Sequence, residues 1–354
     1  MSRRPEAVGA KARPNDPSDM MGRVLDFPNQ LREAWELAGR GPDLMKGARP
    51  GRVFVVGMGG SAIGGDFVRA FAETCSPVPV EVVRGYELPA AAGSSSFAFF
   101  VSYSGNTEET LAVWEEACRR GVPRACITSG GELAERAAHD GTACLRIPPG
   151  SPPRAALGWT SIPVFRALGT AGLLPFAAED VKDAARAGEE VIVKHGPDAA
   201  PDDPLRGWAE ACAARLPVIY APAYRYSAAA VRWSGQMNEN GKSLAHVALF
   251  PEQNHNEIVG WETPSPVLEL AEVAMLADDT VHPRVRKRME IVASRIERAR
   301  GRVTRFAPAG AGLVARLYSL AVMGDLASLY LAAARGVDPT PVASIDGLKA
   351  ELGR

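Results

Sequence analysis

Short apolar runs and amphipathic stretches alternate along most of this chain, and the period of each decides what it can form. Residues 52–56, 78–83, 97–101, 124–128 and 143–147 are brief runs rich in β-branched and aromatic side chains, the pattern of strands covered on both faces. Between them, residues 61–73, 107–120 and 132–138 repeat their apolar positions at three and four, which predicts helices. An earlier stretch, 22–39, places Leu25, Leu31, Trp35 and Ala38 on one face and predicts a single amphipathic helix. The alternation of strands with helices implies a parallel sheet with helices on both sides.

Prolines at 148, 149, 152 and 153 break the pattern, a helix is expected at 158–170, and a charged segment, 178–194, leads out of the first unit. The alternation restarts near Trp208, with strands expected at 218–220, 245–250, 267–275 and 303–306. Helices are expected at 227–238, 283–298, 312–334 and 343–352. The strand–loop–helix opening at 217–238 echoes that at 52–73. The expected fold class is therefore α/β, with two doubly wound, flavodoxin-like parallel-sheet domains in tandem. The expected boundaries are a disordered tail at 1–19, a first domain at 20–175, a connection at 176–206 and a second domain at 207–354. In such sheets ligands sit outside the carboxyl ends of the strands.

Composition narrows the function. Of 354 residues, 46% are apolar and 23% charged, and the net charge is −1, so no electrostatic footprint for nucleic acid or an acidic membrane is expected. The densest basic run, Arg284, Arg286, Lys287 and Arg288, alternates with Val285 and Met289 and predicts a solvated helix face. Five cysteines without a C-x-x-C pair read as small buried hydrophobes in a reducing compartment. The N-terminus lacks an apolar signal region, and the best membrane-span candidate, 317–334, is interrupted by Asp325. The expectation is a cytoplasmic, soluble protein.

Three constellations carry chemistry. In V-F-V-V-G-M-G-G-S-A-I-G-G-D (53–66), Gly57, Gly59 and Ala62 satisfy a dinucleotide fingerprint. No acidic residue ends the second strand, since Glu81 lies within it and Glu87 well past it, so a phosphate wall is the better reading. In F-F-V-S-Y-S-G-N-T-E-E-T-L (99–111), Ser102, Ser104 and Thr107 gather at a strand end and a helix start, where unpaired N–H groups favour phosphate. A plain N-cap needs one hydroxyl rather than three. Downstream, N-E-N (238–240) and N-H-N (254–256) bracket Glu239 and His255 with asparagines, which can hold a neighbouring acid or base in one orientation. His255 and Glu257 lack further ligands at metal-binding spacing.

The G-G-S of 59–61 with S-Y-S-G-N-T of 102–107 resembles sugar-isomerase (SIS) domains, and Gly60, Ser61, Ser102, Ser104 and Thr107 match that superfamily's phosphate-binding positions. With N-E-N, N-H-N, S-P-P-R-A-A-L-G-W (151–159) and V-D-P-T-P-V-A-S-I-D-G-L-K (337–349), the chain from about residue 20 to 352 resembles the bifunctional phosphoglucose/phosphomannose isomerases. The resemblance implies an aldose–ketose isomerase acting on hexose 6-phosphates through a cis-enediol, with no cofactor or metal. It implies Glu239 as the base moving a proton between C2 and C1, and His255 with Lys349 opening the sugar ring. Arg154 would stabilise the enediolate, and Thr340 is a candidate for shaping the space at C2. It also implies a homodimer in which His255 serves the neighbouring subunit's site. A non-catalytic phosphosugar sensor, an SIS isomerase for another sugar phosphate and a nicotinamide dehydrogenase are the alternatives. The dehydrogenase would leave S-Y-S-G-N-T and N-E-N unexplained, and the sensor would have no use for Glu239, His255, Arg154 and Lys349 together.

Overall fold

A computed structural model describes residues 15–263 and 265–353. The first half contains α1 (Met20–Leu25), α2 (Phe27–Arg40), β1 (Arg52–Val56), α3 (Gly59–Cys75), β2 (Val80–Val83) and β3 (Ser96–Val101). It continues with α4 (Glu108–Arg119), β4 (Arg124–Thr128), α5 (Gly131–His139), β5 (Ala143–Arg146) and α6 (Leu157–Thr170). Then come α7 (Ala178–His195), α8 (Pro204–Ala211), β6 (Leu216–Pro222), α9 (Ala223–Glu239), β7 (His246–Phe250) and α10 (Pro266–Glu269). The chain ends with β8 (Ala271–Leu276), α11 (Pro283–Arg298), β9 (Arg302–Phe306), α12 (Leu313–Ala334) and α13 (Ala343–Leu352).

Every strand pairing is parallel, in sheets of order β2-β1-β3-β4-β5 and β7-β6-β8-β9. The second sheet repeats the first without its fifth strand. The order changes direction between β1 and β3, and again between β6 and β8. Period two sorts the strand side chains between cores. Val53, Val55, Phe97 and Phe99 enter one large cluster, whereas Phe54, Val56, Ala98 and Phe100 face a second beneath α4 and α5. Ile219, Ala221, Ala274 and Leu276 join the large cluster from the other sheet, and Val218, Tyr220, Val273 and Met275 pack under α11. The large cluster is thus a helical layer shared by both sheets, in which α3 meets α6 and α9, and α12 meets α7, α8 and α9.

Several expectations change at element ends. The helix expected at 22–39 is two, because Asp26 ends α1 and Pro28 stands in the first turn of α2, where a missing N–H costs nothing. The strand expected from 267 starts at Ala271, since Pro266 opens the short α10 instead. Asp203, accepting from the Arg206 N–H at 2.9 Å, and Pro204 start α8, which the apolar pattern does not signal. Of the tail expected at 1–19, residues 1–14 lie outside the described residues. Asp16 accepts from the Met20 and Met21 N–H groups, each at 2.8 Å, and Asp19 caps α1. Cys75 and Cys118 are exposed, contrary to the expectation that all five cysteines are buried. The basic run on α11 points outward except for the half-buried Arg288, while Val285 and Met289 pack inward.

Helix α12 has the length and hydropathy of a membrane span, yet 89% of its apolar window is buried inside the molecule. Its Asp325 has a partner. Arg232 of α9 donates to Asp325 Oδ2 at 2.7 Å, and Gln236 Nε2 donates to Oδ1 at 2.7 Å. Burial raises the Asp325 carboxyl above its ordinary range, opposed by Arg232 and Gln236. Both ion-pair side chains are almost fully enclosed, 3% and 4% exposed, so removing one leaves the other uncompensated. Asp325→Ala should cost about 3–5 kcal/mol in urea unfolding. A loss below about 1 kcal/mol would mean that the pair does not hold α9 to α12.

Candidate active site

The crevice between β1 and β3 opens where their outgoing connections part, the usual ligand position in such sheets. Helix α3 starts directly after β1, at Gly59 rather than at the expected Ser61, and α4 follows β3. Neither Met58 nor Thr107, the two N-cap residues, caps its helix with a side chain, so first-turn N–H groups of both helices remain for an anion. Glycine is required here by contact. A Cβ on Gly60 would lie 2.8 Å from Arg154 N, and Gly105, at φ +76°, would place one 1.8 Å from Gly130 O.

The expected phosphate hydroxyls meet around this crevice. Ser61 Oγ accepts from the Tyr103 N–H at 3.0 Å, joining α3 to the loop after β3. Ser102 Oγ and Thr107 Oγ1 are 2.8 Å apart, and Ser102 Oγ also accepts from the Gly105 N–H at 3.1 Å. Ser102 is fully buried and shapes the loop, while Ser104, whose Oγ accepts from the Asn106 N–H at 3.2 Å, is exposed. Thr107 is half-buried between them.

Arg154 is 3% exposed and reaches from the first unit into the second. Its Nε donates to Asn240 Oδ1 at 2.6 Å, and its Nη2 to the Pro339 and Thr340 carbonyls at 2.8 and 2.7 Å. Nη1 lies 3.4 Å from Glu239 Oε2. Burial pushes the guanidinium below its ordinary value against the pull of Glu239 and Asp338; arginine starts so high that it stays charged. Arg232 donates to the Arg154 carbonyl at 2.9 Å. Lys242, its ammonium lowered by burial and by Arg154, binds the carbonyls of Glu239, Pro339 and Pro341. An open cleft with about 480 Å³ of empty space joins Gly59, Gly60 and Arg154 to Glu239, Gln236 and Gly235 of α9, and Arg84 also borders it.

The asparagines of the two bracketed motifs act differently from the expectation. Asn240 holds Arg154 rather than Glu239, and its Nδ2 donates to Ser328 at 3.0 Å. Asn254 bonds Gln253, and Asn256 caps the N–H of Glu257. Among the described residues, Asn240, Asn254 and Asn256 thus bond groups other than the His255 ring. His255 is exposed on a 3₁₀ turn (Glu252–His255) after the edge strand β7, and Lys349 is exposed on α13; neither borders the cleft within one chain. Thr340 lends its carbonyl to Arg154, while its buried Oγ1 has no hydrogen-bond partner among the described residues. Glu257, considered as a metal ligand, instead bonds His246 and the Tyr220 hydroxyl, whose own pKa burial raises. Among the described residues no three His, Cys, Asp or Glu side chains cluster as a metal site.

Arg84, Arg232 and Lys242 were not expected at the site. The N-E-N-G-K run contains Lys242, and Arg232 lies on the same face of α9 as Glu239, two turns before it. Both could have been found once that helix was aligned with the cleft. Arg84 follows β2, apart from either motif in sequence, and no local pattern marks it.

Comparison with known proteins agrees with this geometry. Residues 48–168 match the SIS domain, and residues 202–352 match the bacterial phospho-glucose isomerase C-terminal SIS domain. A bifunctional phosphoglucose/phosphomannose isomerase from Caldicellulosiruptor bescii is 37% identical over 340 residues, covering 94% of this chain and 98% of that protein. One from Aquifex aeolicus is 36% identical over 332 residues, covering 93% and 97%. A hypothetical protein from Thermus thermophilus shares the fold at TM-score 0.74 with 17% identity, over 96% of this chain and 91% of that one. With its two parallel sheets, its hydroxyl-lined crevice and this similarity over nearly its whole length, the chain belongs to the bifunctional phosphoglucose/phosphomannose isomerase family.

Proposed function

We propose that the protein interconverts glucose 6-phosphate, and mannose 6-phosphate, with fructose 6-phosphate through a cis-enediol, residues 20–175 binding phosphate and residues 207–354 supplying the proton-transfer groups. The observation that carries this reading is Glu239, a half-exposed carboxylate on the cleft wall, 3.4 Å from the enclosed Arg154 guanidinium. A proton shuttle between adjacent carbons needs one base that reaches both, and a fixed cation beside it that stabilises the enediolate. Gly60, Ser61, Ser102, Ser104 and Thr107 anchor the phosphate, supported by the two uncapped helix N-termini. Thr340 shapes the space at C2, supported by its unpartnered hydroxyl beside Arg154. Glucose and mannose 6-phosphates give the same enediol, so a site that accepts both configurations at C2 turns over both. The names of the relatives support this breadth.

Ring opening is assigned to His255 and Lys349, with His255 crossing to the site of a second copy in a homodimer. Its exposure beyond an edge strand and its place outside the lining of the cleft within one chain support that reading. Lys349 lies on a helix without buried residues, beside exposed Ile345 and Leu348, and would reach the site once that helix is seated. The direct test is a coupled assay for fructose 6-phosphate with either aldose phosphate supplied; no turnover of either would overturn the reading.

Glu239→Gln should lower kcat by at least about 1,000-fold while calorimetry with a hexose 6-phosphate analogue shows nearly unchanged binding, because the amide keeps the shape but accepts no proton. More than a few per cent of residual kcat would assign the base elsewhere. In the double variant Ser104→Ala with Thr107→Ala, the rise should fall mainly on KM, since the phosphate is held alike in ground and transition states. Unchanged phosphate affinity there would remove the anchor from this loop.

Mixing Glu239→Gln with His255→Ala subunits, each inactive, tests the shared site. Random exchange makes half the dimers mixed, and each mixed dimer has one intact and one doubly defective site. Activity should recover to about a quarter of wild type. No recovery after verified exchange would return His255 to its own chain.

A further inference from the structure

The cleft holds a third arginine beside Arg154 and Arg232, and its side chain is 38% exposed where theirs are buried. Arg84 follows β2 and leaves the carboxyl edge of the sheet beside the β1–α3 turn, where the Gly57 N–H donates to the Val83 carbonyl at 3.2 Å. Its side chain lies across α3. Nη2 bonds Asp66 Oδ2, and Nη1 lies 3.4 Å from Asp66 Oδ1. Asp66 is itself 6% exposed and has Arg69 as a second partner at 3.4 Å. Asp66 is therefore a buried carboxylate that fixes one edge of the guanidinium.

Donor counting separates the three cations. Arg154 spends its Nε and both Nη2 hydrogens on Asn240, Pro339 and Thr340, and directs Nη1 towards Glu239, which leaves one N–H. Arg232 is 4% exposed; its Nη2 donates to Asp325 and the Arg154 carbonyl, and its Nε, without a partner among the described residues, is buried rather than turned to solvent. Arg84 is 38% exposed and borders the cleft, and among the described residues Asp66 is its hydrogen-bond acceptor, which leaves its Nε and one hydrogen on each Nη without an acceptor there.

Position decides what those hydrogens meet. In the order β2-β1-β3, Arg84 stands on the far side of β1 from the loop bearing Ser102, Ser104 and Thr107, none of which borders this cleft. A ligand whose phosphate lies in the hydroxyl loop therefore brings its other end to Arg84, Arg154 and Glu239. We propose that Arg84 is a substrate-contacting residue that binds the oxygens at the non-phosphorylated end of the sugar, C1 to C3, with Asp66 as its positioning residue. This rests on the isomerase reading of the cleft. A guanidinium fork suits a pair of vicinal oxygens, and charge on one of them strengthens the contact as an enediolate develops.

The test measures binding and turnover separately. An aldonic acid phosphate, whose carboxylate imitates the enediolate end, and inorganic phosphate, which has no such end, are titrated by calorimetry into wild type, Arg84→Ala and Arg84→Lys. Arg84→Ala should bind the aldonic acid phosphate about 10- to 100-fold more weakly, with inorganic phosphate unchanged and kcat/KM reduced by a similar factor. Arg84→Lys keeps the charge but not the fork and should fall between them. Asp66→Asn should lower kcat/KM about 3- to 10-fold in the Arg84 background and leave it unchanged in Arg84→Ala, an outcome that a merely structural role would not give. Wild-type affinity of Arg84→Ala for the aldonic acid phosphate would overturn the proposal, as would an equal loss for inorganic phosphate. Absence of isomerase turnover in the wild type would instead sink the reading of the reaction, while the binding comparison would still decide the role of Arg84.

Discussion

One enclosed side chain, Arg154, ties the two halves of the site together. It grows from the proline-rich loop of the first unit, and its guanidinium is clasped by Asn240 and by the carbonyls of Pro339 and Thr340 in the second. A charge taken out of water is tolerated only when its hydrogens are satisfied, so these acceptors are a condition of its presence. The backbone around it is held as firmly. Gly60 lets the 153–154 segment touch the first turn of α3, and Arg232 binds the Arg154 carbonyl while anchored to Asp325 of the central helix. The distance between the first turn of α3 and Glu239 is thereby set by buried contacts rather than by a flexible linker.

The remaining architecture serves this junction. Helix α12, apolar around its whole circumference, is buried because both units lean on it, and its single acidic interruption is the partner of Arg232. The shared helical layer lets the turn after β1 face the last turns of α9 across the cleft. Two helix N-termini left uncapped by side chains stand at this place, where unpaired first-turn N–H groups suit an anion.

Much of the fold was legible because strand and helix impose different periods. β1, β4, α11 and α13 fall at the expected residues. The tandem doubly wound design follows from alternation alone, since parallel strands require crossovers. The expectations that fail share a cause. Asp26, Pro204 and Pro266 act on backbone hydrogen bonds at element ends, where apolar spacing carries no information. Asparagines that bracket an ionisable residue suggest holders of their neighbours in sequence. Asn240 instead turns inward to Arg154, because at the end of a helix the direction of a side chain is set by what packs there.

The sequence by itself determined the alternation of elements, the hydroxyl-rich turn after β3 and the carboxylate at the end of α9, because these depend on residues close together in the chain. Tertiary structure alone decided that Arg154, Asn240 and Thr340 meet, that Asp325 neutralises a buried arginine, and that Arg84 comes to the same cleft from the far side of β1. Each of those contacts joins segments far apart in sequence. Which of them forms depends on the packing of two sheets against a common helical layer, and no local propensity encodes that.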